Sequence, residues 1–330
     1  MKENVDPDRS REKSRTISGN SFERYLQSRG LGRATIKCYS REAMEFIVWC
    51  DMQNIEVENC SQTEITGYLK HLQDKGQQNK TRNINLNILK HFFDWQIQAG
   101  QRVDNPAKHI KIRGAKNRIL YPIFSKQELE SLYHNYEIPT DEHKKSNCNW
   151  FGNYRLSRGR NKAVISLMIY QGLCTDEVNR LRVKDIKLKE GTVFIAGTRK
   201  SNERLLDLKP HQIMELMEYQ LTIRNELQQL LPNQTELYFL PAPSAGKKTI
   251  TDNDGINIWK RLSGEIRNTN KKFINFKQVR TSVIMHWLKQ YNLRQVQYMA
   301  GHRYISSTES YLANQMEDLQ ADIEQFHPIG

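Results

Sequence analysis

The sequence predicts a mainly α fold with a small β hairpin or sheet, divided into two helical domains. Three observations lead there. Apolar residues recur at helical spacing along most of the chain, capping boxes open two of these runs, and β-prone residues cluster in a single short stretch.

The first helix is expected from Ser21, with Phe22, Tyr25 and Leu26 on one face before the break at Gly30 to Gly32. A second covers Ala34 to Met52, carrying Ile36, Tyr39, Ala43, Phe46 and Ile47. The third opens with the box Ser61 to Glu64, repeats Ile65, Tyr68, Leu69 and Leu72, and closes at Gly76. A fourth runs from about Thr81 through Ile84, Ile88, Leu89, Phe92 and Phe93 to Trp95, stopping near Gly100 and Asn105-Pro106. Residues 17–106 therefore read as a small helical domain, preceded by a mobile tail over residues 1–16. A linker follows at 107–122, and a second domain occupies 123–330.

The second domain begins with another box, Ser125 to Glu128, followed by Leu129, Leu132 and Tyr133. A polar stretch from Glu137 to Arg158 is expected to interrupt the helices before an apolar one over Ala163 to Tyr170. After Gly172 comes a short helix from Thr175 with Val178 and Leu181. Thr192 to Ala196 and Leu205 to Leu208 are the strands, paired about the polar turn GTRKSNE. Beyond Pro210 the pattern is again helical.

Composition limits the function classes. At 330 residues the chain has room for about two domains, and 38% apolar with 9% aromatic residues is enough to build cores. The net charge is +13, which favours phosphate or another anionic partner. Both halves share it: 21 basic against 14 acidic residues precede position 120, and 29 against 23 follow. Five scattered cysteines without a CxxC pair suggest neither a disulfide framework nor zinc, and a reducing cytoplasm is the expected compartment. The start MKENVDPDRSREKSR lacks the apolar block of a secretory signal, and no stretch has the length of a membrane span. No cofactor or metal is expected: HExxH and carboxylate clusters are missing, and Ala245-Gly246-Lys247-Lys248-Thr249 lacks the upstream glycine of a phosphate loop.

The linker AKHIKIRGAKNRILYP holds six basic side chains, His109 among them, and no acidic one. That composition suits a segment lying along a phosphate backbone, with a solvated connector as the plainer alternative. Candidate DNA contacts are Lys108, Lys111, Arg113, Lys116 and Arg118 of the linker, Arg33, Lys80 and Arg82 of the first domain, and Arg199 of the hairpin turn.

The chemistry-bearing residues lie late in the chain: Lys277-Gln-Val-Arg280, Gly301-His302, and Tyr311 nine positions after that histidine. Upstream stands Gly172-Leu173-Cys174-Thr175-Asp176-Glu177, ahead of the hairpin. In this order and spacing the chain resembles the tyrosine recombinases, the phage integrase and Xer-like family. That family carries HxxR, a GH pair, a nucleophilic tyrosine nine residues on, a GLR-x-x-E turn, and a catalytic lysine in the hairpin. The resemblance extends to the first domain, where FFDW and NPA match the core-binding, SAM-like module.

The resemblance implies a two-domain clamp around double-stranded DNA, with four protomers on two DNA sites and element-encoded accessory or partner recombinases as further partners. It assigns Tyr311 as nucleophile and Arg280 and His302 as donors to the phosphate, with Lys277 in the place of the HxxR histidine. Lys200 is preferred over Arg199 as the hairpin general acid, and Glu177 is a supporting acid. The activity implied is cleavage and rejoining of DNA through a 3′-phosphotyrosine, for integration or transposition of a mobile element. The segment after Tyr311, with Met316, Leu319, Ile323 and Phe326 at helical intervals, would dock on a neighbour or pack on its own domain.

One departure bears on activity. Cys174 stands where the family places its first arginine, and loss of one oxyanion donor costs about 3 to 4 kcal/mol. Three readings are open: a neighbouring cation such as Arg180 or Arg199 compensates, which is preferred; DNA strain or a partner subunit does so; or cleavage is lost. The last would leave a non-catalytic DNA-binding accessory or regulatory protein. Core packing is the simpler role for the thiol itself, because no acid–base partner stands beside it in the sequence.

Overall fold

The computed structural model describes residues 21–114, 121–140, 150–242 and 252–312, apart from the side chains of 252–257. Backbone contacts divide the chain into two units, Met1–Ile119 and Leu120–Gly330. The expected tail, Lys116, Arg118, the segment Ala245 to Thr249 and the segment beyond Leu312 lie outside the described residues.

The first unit is built from α1 (residues 21–28), α2 (Arg33–Met52), α3 (Gln62–Asp74) and α4 (Asn79–Gln98). The box at Ser61 forms as expected: Ser61 Oγ accepts from the Thr63 amide, and Glu64 accepts from the Ser61 amide at 2.7 Å. Gly76 and Gly100, at φ +82° and +72°, end α3 and α4 in the left-handed region that favours glycine. The core centres on Phe46, whose ring meets Tyr68 at 5.0 Å and Phe93 at 5.9 Å in edge-on packing. Cys50 and Cys60 are buried in this core as free thiols. Asn105 stitches the start of the linker to α4 by donating to the Lys90 carbonyl and to Asp94.

In the second unit the chain forms α5 (Lys126–His134), α6 (Phe151–Tyr170), α7 (Thr175–Arg180), β1 (Ile186–Lys187), β2 (Thr192–Ile195) and β3 (Arg204–Asp207). Then follow α8 (Pro210–Glu218), a π turn (Tyr219–Ile223), α9 (Arg224–Gln229), α10 (Asp252–Thr269), α11 (Phe276–Gln290), α12 (Leu293–Ala300) and α13, helical over the described residues 305–312. α6 is buried on most sides from Ala163 to Ile169, as a central helix must be. It starts twelve residues before the expected Ala163, inside the stretch read as an interruption. The polar side chains there are satisfied internally. Arg158 donates to the Glu137 carbonyl and lies over the Tyr136 ring, and buried Arg160 donates to the Leu240 carbonyl at 3.0 Å.

The sheet is antiparallel in the order β1-β2-β3, with Ile195 opposite Arg204 and Val193 opposite Leu206. β1 was absent from the sequence expectation because two residues are too few to show a period. β2 ends one residue early, and β3 spans Arg204–Asp207 rather than Leu205–Leu208, so an arginine takes the first inward position. Among the described residues no helix is long and apolar enough to cross a membrane.

Candidate active site

Three chain segments meet at one carboxylate. Glu177 sits in the first turn of α7 and is buried; its Oε2 accepts from the Cys174 amide at 2.9 Å, which caps the helix. The same oxygen accepts from Arg280 Nη1 at 2.9 Å, and Oε1 accepts from Arg204 Nη1 at 2.8 Å. One carboxylate thus holds two guanidiniums that are 76 positions apart in the sequence.

Arg280 is aimed by more than this ion pair. On α11, it donates through Nη1 to the Gly172 carbonyl and through Nη2 to the Ala300 carbonyl, both at 2.6 Å. Both carbonyls belong to chain reversals: Gly172 has φ +61°, and Ala300 precedes Gly301 at φ +68°. The glycines of the GL and GH signatures therefore have a physical reason, since each lets the backbone turn and present a carbonyl to Arg280.

The hairpin reaches the same place. Thr198 and Ser201 close its turn, with Arg199 and Lys200 exposed at the tip. The Asn202 amide donates to the Gly301 carbonyl at 3.0 Å, Ser201 bridges to His302, and Arg303 donates to the Arg199 carbonyl at 2.8 Å. Tyr298 also accepts from the Leu205 amide at 3.0 Å. These bonds fasten the lysine-bearing turn to the GH loop.

His302 Nδ1 lies 2.9 Å from Oγ1 of buried Thr308, which orients the ring and leaves Nε2 for a substrate. The imidazole stacks on the Tyr311 ring, with centroids 5.7 Å apart and planes 13° from parallel. Tyr311 is half-buried and packs against Ile284, Val296 and Ala300. Burial raises its phenol pKa, while the charge and hydrogen bonding of Arg280 pull it down. The hydroxyl thus lies within the influence of the guanidinium thirty-one positions upstream.

Burial also depresses His302, to about 4, helped by the positive charges of Arg280 and Arg204. Glu177 shows the opposite balance. Burial alone would raise it, but the Arg204 hydrogen bond and the charges of Arg280 and Arg204 hold it at about 2. Both groups bind protons more weakly in the folded chain than in the unfolded one, so both stabilise the fold at neutral pH and lose that contribution on acidification. For His302 the window runs from about 6.5 down to about 4, and for Glu177 from about 4.5 down to about 2. Urea midpoints measured across pH are expected to decline in both windows. The upper decline should shrink in His302→Gln and the lower in Glu177→Gln; unchanged profiles would refute the assignment.

The Cys174 thiol is pushed up, first by burial and then by the Glu177 charge, with Arg280 opposing. It is therefore a neutral thiol at physiological pH and a poor nucleophile.

The remaining expected residues are placed as follows. Lys277 is exposed in the first turn of α11, one turn before Arg280. Arg180 pairs with Asp176 on its own helix at 3.1 Å, and the Arg199 side chain is exposed at the turn tip. Neither is bound to Glu177; the guanidiniums that are belong to Arg280 and Arg204, and the sequence reading passed over Arg204. The readable signal was R-L-L-D-L, whose alternate positions 204, 206 and 208 point inward, so a strand started one residue earlier exposes a buried arginine. Thr308 was also missed. In the first unit Arg33, Lys80, Lys108, Lys111 and Arg113 are exposed, whereas Arg82 donates to the Leu69 carbonyl, Gln73 and Asn79 and so ties α3 to α4.

Residues 122–318 match the phage integrase family, and residues 20–101 match the phage integrase N-terminal SAM-like domain. Tyrosine recombinase XerD of Oceanobacillus iheyensis is 27% identical over 304 residues, covering 91% of this chain and 94% of that protein. Tyrosine recombinase XerC of Escherichia coli is 23% identical over 313 residues, covering 93% and 95%. Among solved structures, XerH bound to palindromic difH substrate in a post-cleavage complex superposes with a TM-score of 0.62 at 19% identity, covering 91% of this chain and 82% of that one. The Tn1549 transposon integrase in complex with transposon right end DNA gives 0.60 at 15% identity, covering 94% and 99%. At these identities the two structures speak for the fold. With the family model spanning more than half of its length, the chain belongs to the phage integrase family of tyrosine recombinases.

Proposed function

We propose that this protein is a site-specific DNA recombinase that cuts and rejoins double-stranded DNA through a 3′-phosphotyrosine, in the service of integration or transposition of a mobile element. The observation that carries the reading is the meeting of Tyr311, His302 and Arg280 at one place, beside a hairpin tip bearing Lys200. The Tyr311 oxygen attacks the scissile phosphorus, the bond from phosphorus to the 5′ oxygen breaks, and the phenolic proton passes to solvent water. Lys200 donates a proton to the departing 5′ oxygen, while Arg280 and His302 Nε2 hold the nonbridging oxygens. A new 5′ hydroxyl reverses the step, so the backbone bond is conserved without ATP.

DNA would be gripped by both domains, with Arg33, Lys80, Lys108, Lys111, Arg113 and Arg199 neutralising phosphates. Lys116 and Arg118 join them on charge alone. Four protomers on two sites complete the exchange, with accessory proteins where the element supplies them. Cys174 favours a second reading, a non-catalytic DNA-binding factor that keeps the clamp. Covalent capture separates the two. The chain is incubated with sheared genomic DNA of its host, stopped with detergent, and the protein-linked strands are sequenced. The enzyme reading expects strands sharing one sequence at their 3′ ends, joined to protein. Reversible DNA binding with no linked strand would leave the accessory reading.

A further inference from the structure

Thr308 is a polar group buried on α13 between neighbours that face solvent. Ser307 and Glu309 are exposed, whereas Thr308 has no accessible surface. A threonine in a helical turn commonly donates to the carbonyl four residues back, as Thr66 does to Gln62 and Thr222 to Glu218. Thr308 does not. Among the described residues its hydroxyl has one hydrogen-bond partner, His302 Nδ1 at 2.9 Å.

That single bond settles which ring nitrogen carries hydrogen. A buried hydroxyl hydrogen needs an acceptor, and leaving it without one costs about 1 to 3 kcal/mol. A bare Nδ1 lone pair is the acceptor at hand. With hydrogen on Nδ1 instead, the ring would donate to Oγ1 and the hydroxyl hydrogen would be stranded inside the protein. Burial and the charges of Arg280 and Arg204 keep the ring neutral, so the choice lies between two neutral tautomers and the bond selects hydrogen on Nε2. The imidazole also lies nearly parallel to the Tyr311 ring, and no hydrogen bond joins the two side chains among the described residues. Thr308 and Tyr311 stand three positions apart on α13, so one helix carries the nucleophile and orders the histidine beside it.

We propose that Thr308 is a positioning residue of the reaction, whose hydroxyl holds His302 in the tautomer with hydrogen on Nε2. The imidazole is then a hydrogen-bond donor to the scissile phosphate and not a base toward Tyr311. A nitrogen that already carries hydrogen has no lone pair to offer the phenol, and the lone pair of Nδ1 is engaged by Thr308. This inference rests on the recombinase reading above.

The test reads the imidazole directly. Full-length chain carrying isotopically labelled histidine is studied at neutral pH by nitrogen NMR, and the His302 signals are identified by their loss in His302→Gln. The unaltered chain is expected to show hydrogen on Nε2 and an Nδ1 shifted by an accepted hydrogen bond. Thr308→Ser, which keeps the hydroxyl, should preserve both signals and form adduct within about threefold of the unaltered rate on the duplex mapped by covalent capture. Thr308→Val keeps the shape and removes the donor. Its Nδ1 signal should move to that of a lone pair without a partner. At saturating duplex its adduct should form about tenfold more slowly, short of the 10² to 10³ that follows loss of a whole oxyanion donor. Hydrogen on Nδ1 in the unaltered chain would overturn the proposal without recourse to any variant. An Nδ1 signal unmoved in Thr308→Val, or a Val rate equal to that of Ser, would overturn it as well, and each of these results leaves the recombinase reading intact. No adduct from the unaltered chain in the covalent capture would remove both.

Discussion

Tyr311→Phe is expected to abolish the protein-linked DNA band while leaving the protein folded and bound to DNA. The substitution removes one oxygen and little else. The ring keeps its stack on His302 and its packing against Ile284, Val296 and Ala300. Since α13 should keep its place, the melting transition should move little, and a gel-shift affinity should stay within about threefold. The adduct should fall by at least about 10³-fold, because no other step supplies a covalent bond. Tyr304 lies seven residues upstream and is 67% exposed, which makes it the natural control. Adduct that survives in Tyr311→Phe and disappears in Tyr304→Phe would transfer the nucleophile and dissolve the site described here.

The second large effect is expected at Glu177. Its carboxylate caps α7 and binds Arg204 and Arg280, and both partners have little or no access to water. Glu177→Gln keeps the shape but removes the only negative charge of the cluster. Two guanidiniums then face each other in a poorly solvated setting, and breaking a buried pair in this way costs about 3 to 5 kcal/mol. Urea unfolding at neutral pH should show that loss as a shift in midpoint with unchanged slope. A variant within about 1 kcal/mol of the unaltered protein would mean that the cluster is not held by this charge. Cleavage should fall as well, because Arg280 keeps its two carbonyl acceptors but loses the ion pair that sets its angle.

Particular elements show where a one-dimensional reading succeeds. α3 begins at its capping box because the Ser61 side chain and the Glu64 carboxylate satisfy amides three residues away at most, and that information lies wholly within the motif. The box at Ser125 forms for the same reason, with the Glu128 amide donating to Ser125 Oγ at 3.1 Å. α6 shows the opposite. Its first eight residues look like a surface linker until Tyr136, the Glu137 carbonyl and the Leu240 carbonyl, contributed from elsewhere, accept Arg158 and Arg160. β1 exists only because Val193 and Thr192 offer it a partner.

The functional site divides along the same line. Gly172, Arg280, Gly301, His302 and Tyr311 were legible as an ordered series, because left-handed turns and the step from His302 to Tyr311 are short-range requirements written into neighbouring residues. Family and helical architecture followed from the amino-acid order alone. Which cation shares Glu177 with Arg280 did not. Arg180 was nearer in sequence, but it points to Asp176, while Arg204 arrives on a strand and is selected by Glu177 across 27 positions. A guanidinium has no preference for a carboxylate far along the chain until packing removes water from both. The identity of that pair was therefore decided by tertiary structure.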